Sequence, residues 1–200
     1  MSINTRERLL DVARQLIVRK GIENTTMCDI ANASDKGRRT LYTYFKSKRE
    51  IYDAVIERES ESRLKELESV IAMDLPADRK LYMFLMKRCE IINSYICTPS
   101  SAGYLRALFT SELKRIERVR TRLQVRQKEM MDCIIADGLK SGIFDGEQCA
   151  RLESMLDVLI RGIDVVYVNN RHTGHNKVVV PDGFEPTIVE FIVNAIKIRN

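Results

Sequence analysis

The chain has 200 residues, enough for one or two small domains with a buried core. Its 33 basic and 28 acidic side chains leave a formal charge of +5, which leans toward a polyanionic partner without establishing one. Hydrophobic content of 44% beside 30% charged residues, with only 9 Gly and 4 Pro, favours amphipathic helices and argues against a strand-and-turn protein.

In chain order, Asn4 and Glu7 fit a capping box for a first helix with Leu9, Leu10, Ala13, Leu16 and Ile17 on one stripe and Gly21 at its end. A short second helix starts near Thr25-Thr26, capped by Thr26 and Asp29, with Ile30, Ala31 and Ala33 as its apolar face. Ser34 to Gly37 reads as a turn, and a third short helix carries Arg38 to Tyr44. Ser47 and Glu50 form a capping box for a fourth helix, with Ile51, Val55, Leu64, Leu67 and Ile71 facing inward. After Pro76, Leu81 to Ile96 is an apolar helix, and Tyr104 to Phe109 is a short element. A long helix follows, with Leu113, Ile116, Val119, Leu123, Met130 and Ile134 on one face, and Gly138 and Gly142 near its end. Asp145 and Gln148 cap the next helix, whose buried stripe includes Leu152, Met155 and Val166. Residues 169–183 read as a polar loop. Pro186 suits the first position of a last helix that carries Phe191, Ile192 and Ile196 inward.

The five cysteines, Cys28, Cys89, Cys97, Cys133 and Cys149, are odd in number and contain no CxxC pair. They read as reduced core thiols, not as a disulfide frame or zinc site. His172 and His175 are two ligands without a third, which makes a poor metal site. The N-terminus has no apolar leader and no apolar run is long enough to cross a bilayer, so the expectation is a cytoplasmic protein with no membrane partner. No nucleophile–base pair and no phosphate-binding glycine loop is present; the expectation is no enzyme, no cofactor and no metal. The arginine-rich stretch from Lys114 to Lys128 reads as the wet side of a long helix, partly neutralised by Glu112, Glu117 and Glu129.

The segment Gly37 to Glu50, GRRTLYTYFKSKRE, packs arginines, lysines and aromatics together with no acid before its last residue. Two short helices joined by a tight turn, after a longer helix and before a capped one, fit a helix-turn-helix unit whose second short helix enters the DNA major groove. Leu41 and Phe45 are four apart and share a face, so they anchor that helix to Leu10, Ala13 and Ile30. Arg38 with Tyr42, and Arg39 with Thr43, then lie on other faces. An arginine fork suits guanine O6 and N7, so Arg38, Arg39 and Thr43 are the expected base readers. Thr26, Lys36, Thr40, Tyr42, Tyr44 and Lys48 are the expected phosphate contacts, with Lys48 at a helix N-terminus that favours anions.

Thr25-Thr26, Ile30-Ala31 and the run from Thr40 to Lys48, TLYTYFKSK, resemble the N-terminal signature of the TetR/AcrR family of transcriptional regulators, in order and at unbroken spacing. The family's positioning contacts correspond to Thr26, Thr40, Tyr42, Tyr44 and Lys48. The family usually has Gly, an apolar residue and Ser between its second and third helices; here Asp35, Lys36 and Gly37 stand there. Asp35 must then supply any left-handed turn conformation, Lys36 must lay its stem on the core, and Gly37 must serve as a cap without a side chain.

The resemblance implies an all-α protein of about nine helices. Residues 1–47 form a DNA-binding domain, 48–73 a connecting helix, and 74–200 an effector-binding and dimerisation domain. It also implies a ligand cavity, with Met86, Cys89, Asn93, Tyr104, Met130 and Tyr167 as candidate lining. Helix faces and family likeness together suggest a homodimer through Leu156, Leu159, Ile163, Ile188, Phe191, Ile192 and Ala195. The expected partners are a near-palindromic DNA operator, an unknown small-molecule effector and a second copy of the chain. Repression is the family's common mode. A helical adaptor reusing the fold without an operator is the alternative reading.

Overall fold

The computed structural model describes residues 5–96, 114–153 and 183–198, together with 155, 158, 159 and 162. These residues are helical apart from short connections and one isolated antiparallel bridge between Phe144 and Lys197. The helices are α1 (Thr5–Lys20), α2 (Met27–Ala33), α3 (Arg38–Tyr44), α4 (Lys48–Ile71), α5 (Ala77–Ile96), α6 (Lys114–Lys140), α7 (146–153 among the described residues) and α8 (Phe184–Ile196). The all-α architecture agrees with the sequence reading, and eight helices of the expected nine or so fall among the described residues. The expected short element at Tyr104 to Phe109, the loop at 169–182 with its two histidines, and the Asn4 cap lie outside the described residues.

The chain divides into two compact units, and the division falls inside α4, between Ser62 and Arg63, and inside α6, between Arg120 and Thr121. In the first, α1, α2, α3 and the start of α4 share one small nucleus made of Leu9, Leu10, Ala13, Ile30, Ala31, Leu41, Phe45, Ile51 and Val55. The α1 stripe repeats at helical spacing, and the helix stops where Gly21 takes φ +81 and donates its N–H to Ile17 O at 2.9 Å.

The start of α2 is a full capping box. Asp29 N donates to Thr26 Oγ1 at 3.1 Å, and Asp29 Oδ2 accepts from Thr26 N at 2.8 Å. The α4 box is only half reciprocal. Glu50 N donates to Ser47 Oγ at 3.2 Å, but the Glu50 carboxylate reaches one residue further back and accepts from Lys46 N at 2.7 Å. Either way a free N–H before the helix is satisfied.

The second unit collects Leu64, Leu67 and Val70 of α4 with Leu81, Phe84, Leu85 and Ile91 of α5, and adds Met130, Met131 and Ile134 of α6 and Val189, Ile192, Val193 and Ile196 of α8. Its chain end is tied down twice. Asp145 N donates to Ile196 O at 2.8 Å and Ile198 N to Ile143 O at 3.1 Å, while the Lys197 ammonium meets Asp78 at 2.6 Å. Gly138 lies inside α6 because the Phe144 ring crosses directly over it; a Cβ there would sit 2.0 Å from the ring. Asp145 Oδ1 accepts from Gln148 N at 2.9 Å, the expected cap of α7.

Several expectations need correction. Met155, read as part of a buried stripe, is 60% exposed, and Phe191, read as facing inward, is 68% exposed. Helix α8 begins at Phe184 with Gly183 as its cap, so Pro186 is the third helical residue and not the first. Proline is accommodated there because N–H groups in the first turn have no partner within the helix to lose. The cysteines are not uniformly core: Cys89 and Cys149 are buried, but Cys133 is exposed and Cys28 half exposed. On α6 the buried positions are Met130, Met131 and Ile134, and Cys133 points off that face. Among the α6 residues whose side chains are described, Arg126 pairs with Glu68, and Lys128 with Asp132 and Glu153; Glu112 and the Glu117 side chain lie outside the described residues.

Candidate nucleic-acid interface

The site is built around which side of α3 is hidden. Leu41 is 0% exposed and Phe45 2%, both inside the nucleus of the first unit. With that edge fixed, helical geometry turns the remaining side chains outward. Arg38, Arg39, Thr43 and Tyr44 are exposed, Tyr42 is 52% exposed, and Thr40 is half buried. Arg6 of α1 stacks its guanidinium over the outer side of the Phe45 ring, 5.5 Å from the centroid.

The turn that aims α3 is a Schellman motif made without glycine. Asp35 N donates to Asn32 O at 3.3 Å and Lys36 N to Ala31 O at 3.2 Å. Asp35 holds the left-handed position with φ 55, as its place between the helices required. Lys36 is half buried, as expected for a stem laid over the core, and Gly37 caps α3 with no side-chain bond. Arg8 of α1 reaches across to donate Nε–H to Ser34 O at 3.1 Å, so the turn is fastened to α1 as well as to α2.

Beside the turn, Lys20 at the end of α1 donates to Asp29 Oδ2 at 2.8 Å. That ammonium, with the Thr26 hydroxyl and N–H, holds the Asp29 carboxyl down at about 2. Thr26 is therefore both exposed and already engaged, its hydroxyl donating to Asp29 Oδ2 at 2.7 Å. Its lone pairs are shared with Asp29 N, which leaves it a helix cap first and any contact with DNA second.

Three further expected contact residues have partners inside the protein. The Thr43 hydroxyl donates to Arg39 O at 2.9 Å, so it offers a partner its lone pairs and methyl group, not its proton. Lys48 donates to Ile22 O at 2.9 Å and Glu23 O at 3.3 Å, which uses two of its three N–H groups on the α1–α2 connection. Arg38 donates to the Cys28 sulfur at 2.7 Å, and this contact raises the already high pKa of the guanidinium. Cys28 had read as a core thiol. Its i, i+4 relation to Asn32, on the side of α2 away from Ile30 and Ala31, was the available sign that it faces outward.

The other candidates are the expected cavity and dimer residues. Cys89 and Met130 are buried and Met86 half buried; Asn93, Tyr104 and Tyr167 lie outside the residues whose side chains are described. Of the expected dimer residues, Phe191 is 68% exposed and Leu159 exposed, Ile188 and Ala195 are half buried, and Ile192 is buried within its own unit. Leu156 and Ile163 lie outside the described residues.

A model of the bacterial regulatory proteins of the tetR family matches residues 9–55, the stretch from the α1 stripe through the first turns of α4. Residues 9–55 thus carry the DNA-binding signature of the TetR/AcrR family. The AcrR transcriptional regulator of Shigella flexneri is 35% identical over 74 residues, covering 37% of this chain and 34% of that protein. The chain thus matches about a third of the length of that relative. The YhgD regulator of Bacillus subtilis is 23% identical over 145 residues, covering 71% of this chain and 73% of its own length. The fold likeness extends further than the identity. A transcriptional regulator from Cytophaga hutchinsonii superposes with TM-score 0.75 at 19% identity, covering 96% of this chain and 98% of the other. A Saccharomonospora viridis regulator solved with choline gives 0.68 at 20%, covering 97% and 98%. The family model is thus confined to the first unit, and beyond it the sequence likeness is low while the fold likeness persists.

Proposed function

We propose that this TetR/AcrR-family chain is a homodimeric, sequence-specific DNA-binding transcriptional regulator of the cytoplasm, a repressor that a small-molecule effector releases from its operator. The observation that carries the reading is the sidedness of α3. Leu41 and Phe45 are sealed in the nucleus while Arg38, Arg39, Tyr42 and Thr43 stand outside on a short helix held from both ends. A helix so placed is the reading element of a helix-turn-helix unit.

In this proposal Arg38 and Arg39 read guanines through O6 and N7, and Thr43 accepts from a base amino group or meets a thymine methyl. Lys36, Thr40, Tyr42, Tyr44, Thr26 and the third N–H of Lys48 hold phosphates and set register. The exposed Phe191 and Leu159 support a dimer face on α8 and the helix before it. Dimerisation would set two α3 helices roughly 34–36 Å apart, to read a near-palindrome. The effector would act on the second unit, and α4, which starts at Lys48 in the first unit and ends at Ile71 in the second, would carry its effect. A fold relative solved in complex with choline is a precedent for a small molecule bound within this architecture.

The test is selection of bound duplexes from random-sequence DNA by the full chain, followed by titration at several salt concentrations. A palindromic consensus whose affinity falls when saturating effector is added supports the proposal. Binding without sequence preference at every salt concentration refutes it and favours an adaptor.

A further inference from the structure

We infer that Cys28 is a positioning residue for base recognition: its sulfur fixes the Arg38 guanidinium at the edge of α3, and so helps to set which base pair Arg38 reads. The inference rests on the proposed reading of α3.

The geometry is specific. Arg38 is the first residue of α3, and Gly37, which caps it, offers no side chain to hold it. An exposed arginine at such a place has many rotamers, and ordering it on a base edge costs conformational entropy. Here Arg38 NH2 donates to Cys28 Sγ at 2.7 Å across ten residues of sequence. The sulfur is itself held one turn along α2 by Asn32 Nδ2 at 3.6 Å. Cys28 and Asn32 are on the outer side of α2, while Ile30 and Ala31 anchor that helix in the nucleus. The arginine is therefore referenced to the rigid pair α2–α3 and not to solvent. A guanidinium carries five N–H groups in a planar fork, so one spent on sulfur leaves the others to form a two-pronged contact with guanine. Sulfur is a weak acceptor, which suits a guide that orients the fork without competing with the base.

The experiment takes the consensus duplex that the wild-type full chain selects, with every single-base variant of it, and measures affinity for wild type, Cys28→Ala, Cys28→Val, Arg38→Ala and the Cys28→Ala/Arg38→Ala double variant. Arg38→Ala should lose roughly tenfold of discrimination at one base pair. Cys28→Ala should lose about threefold at the same pair and nowhere else, with the salt slope and melting temperature unchanged. Cys28→Val, which keeps the volume and removes the acceptor, should match Cys28→Ala, and the double variant should match Arg38→Ala alone. Wild-type discrimination in both Cys28 variants, or a Cys28 loss that adds to that of Arg38→Ala, overturns the inference while leaving the function proposal standing. Unchanged discrimination at every position in Arg38→Ala overturns the base-reading role of Arg38, and the inference with it.

Discussion

Replacing Leu41 by Ala is the sharpest probe of the structure, because α3 has so little else to hold it. Leu41 is fully buried and shares a nucleus of nine buried residues with α1, α2 and α4. Truncating such a leucine removes the transfer free energy of its lost carbons and leaves a cavity, together about 3 kcal/mol. The helix has seven residues, a cap without a side chain, and beyond Leu41 only Phe45 buried just after it. It cannot fold on its own account, since isolated helices of this length are unstable in water. The loss should therefore fall on the docking of α3. Its amides should exchange with solvent roughly two powers of ten faster, while those of α5 and α8 keep their protection. Hydrogen exchange resolved by peptide is the right assay, since a chain of two compact units need not unfold in one step. Leu41→Met, nearly equal in volume, is the control and should cost under about 1.5 kcal/mol. If Leu41→Ala exchanged at the wild-type rate through residues 38–44, the nucleus would not be what holds the reading helix, and the argument from sidedness would fail.

Other expectations follow from particular contacts. Asp29 has its carboxyl lowered to about 2 from a usual 3.8 by Lys20 and Thr26, so it favours the fold above pH 4 and loses that contribution as pH falls toward 2. Asp29→Asn should flatten the acid limb of a stability-versus-pH curve in that window, and an unchanged limb would contradict the bonding scheme. Gly138→Ala should lower the melting temperature despite the better helix propensity of Ala, because its Cβ meets the Phe144 ring; overpacking of this kind costs about 1–3 kcal/mol. Gly138→Ala with Phe144→Leu should recover part of the loss. Lys48→Met keeps the stem and removes the ammonium from Ile22 O and Glu23 O, at a cost of about 1 kcal/mol for a partly exposed group. In the DNA titration the same variant should weaken all duplexes alike and lower the salt slope by about 1.

What could be read in advance, and what could not, divides along a physical line. The apolar stripes and the capping box of α2 were legible because they are set by spacing within one helix. Asp35 was legible as the left-handed residue because the tight turn needed one and the usual glycine was missing. The bonds that cross between elements were not legible. Nothing in the spacing of Lys48 connects it with the carbonyls of Ile22 and Glu23, or Arg126 with Glu68, since such pairs exist only after packing. Pro186 misled because its fixed φ suits every position in the first turn, not one alone. The apolar residues of α8 were legible as such but not in their division between inside and outside. Ile192 and Phe191 are adjacent in sequence, yet one is spent on the nucleus of its own unit and the other faces outward.

The same line bears on the proposed reading surface. Thr26, Arg38, Thr43 and Lys48 all bond to the protein before any duplex arrives. A surface of free arginines and lysines would bind any phosphate backbone, and its selectivity would be small beside its salt-dependent affinity. Here these four groups are instead held by Cys28, Asp29 and backbone carbonyls. That ordering is done during folding, so less entropy is left to lose on binding. It also restricts what each group can offer: Thr43 presents lone pairs without its proton, and Lys48 one N–H of three. Such restriction favours one arrangement of donors and acceptors over others, which is the requirement for reading sequence and not merely charge.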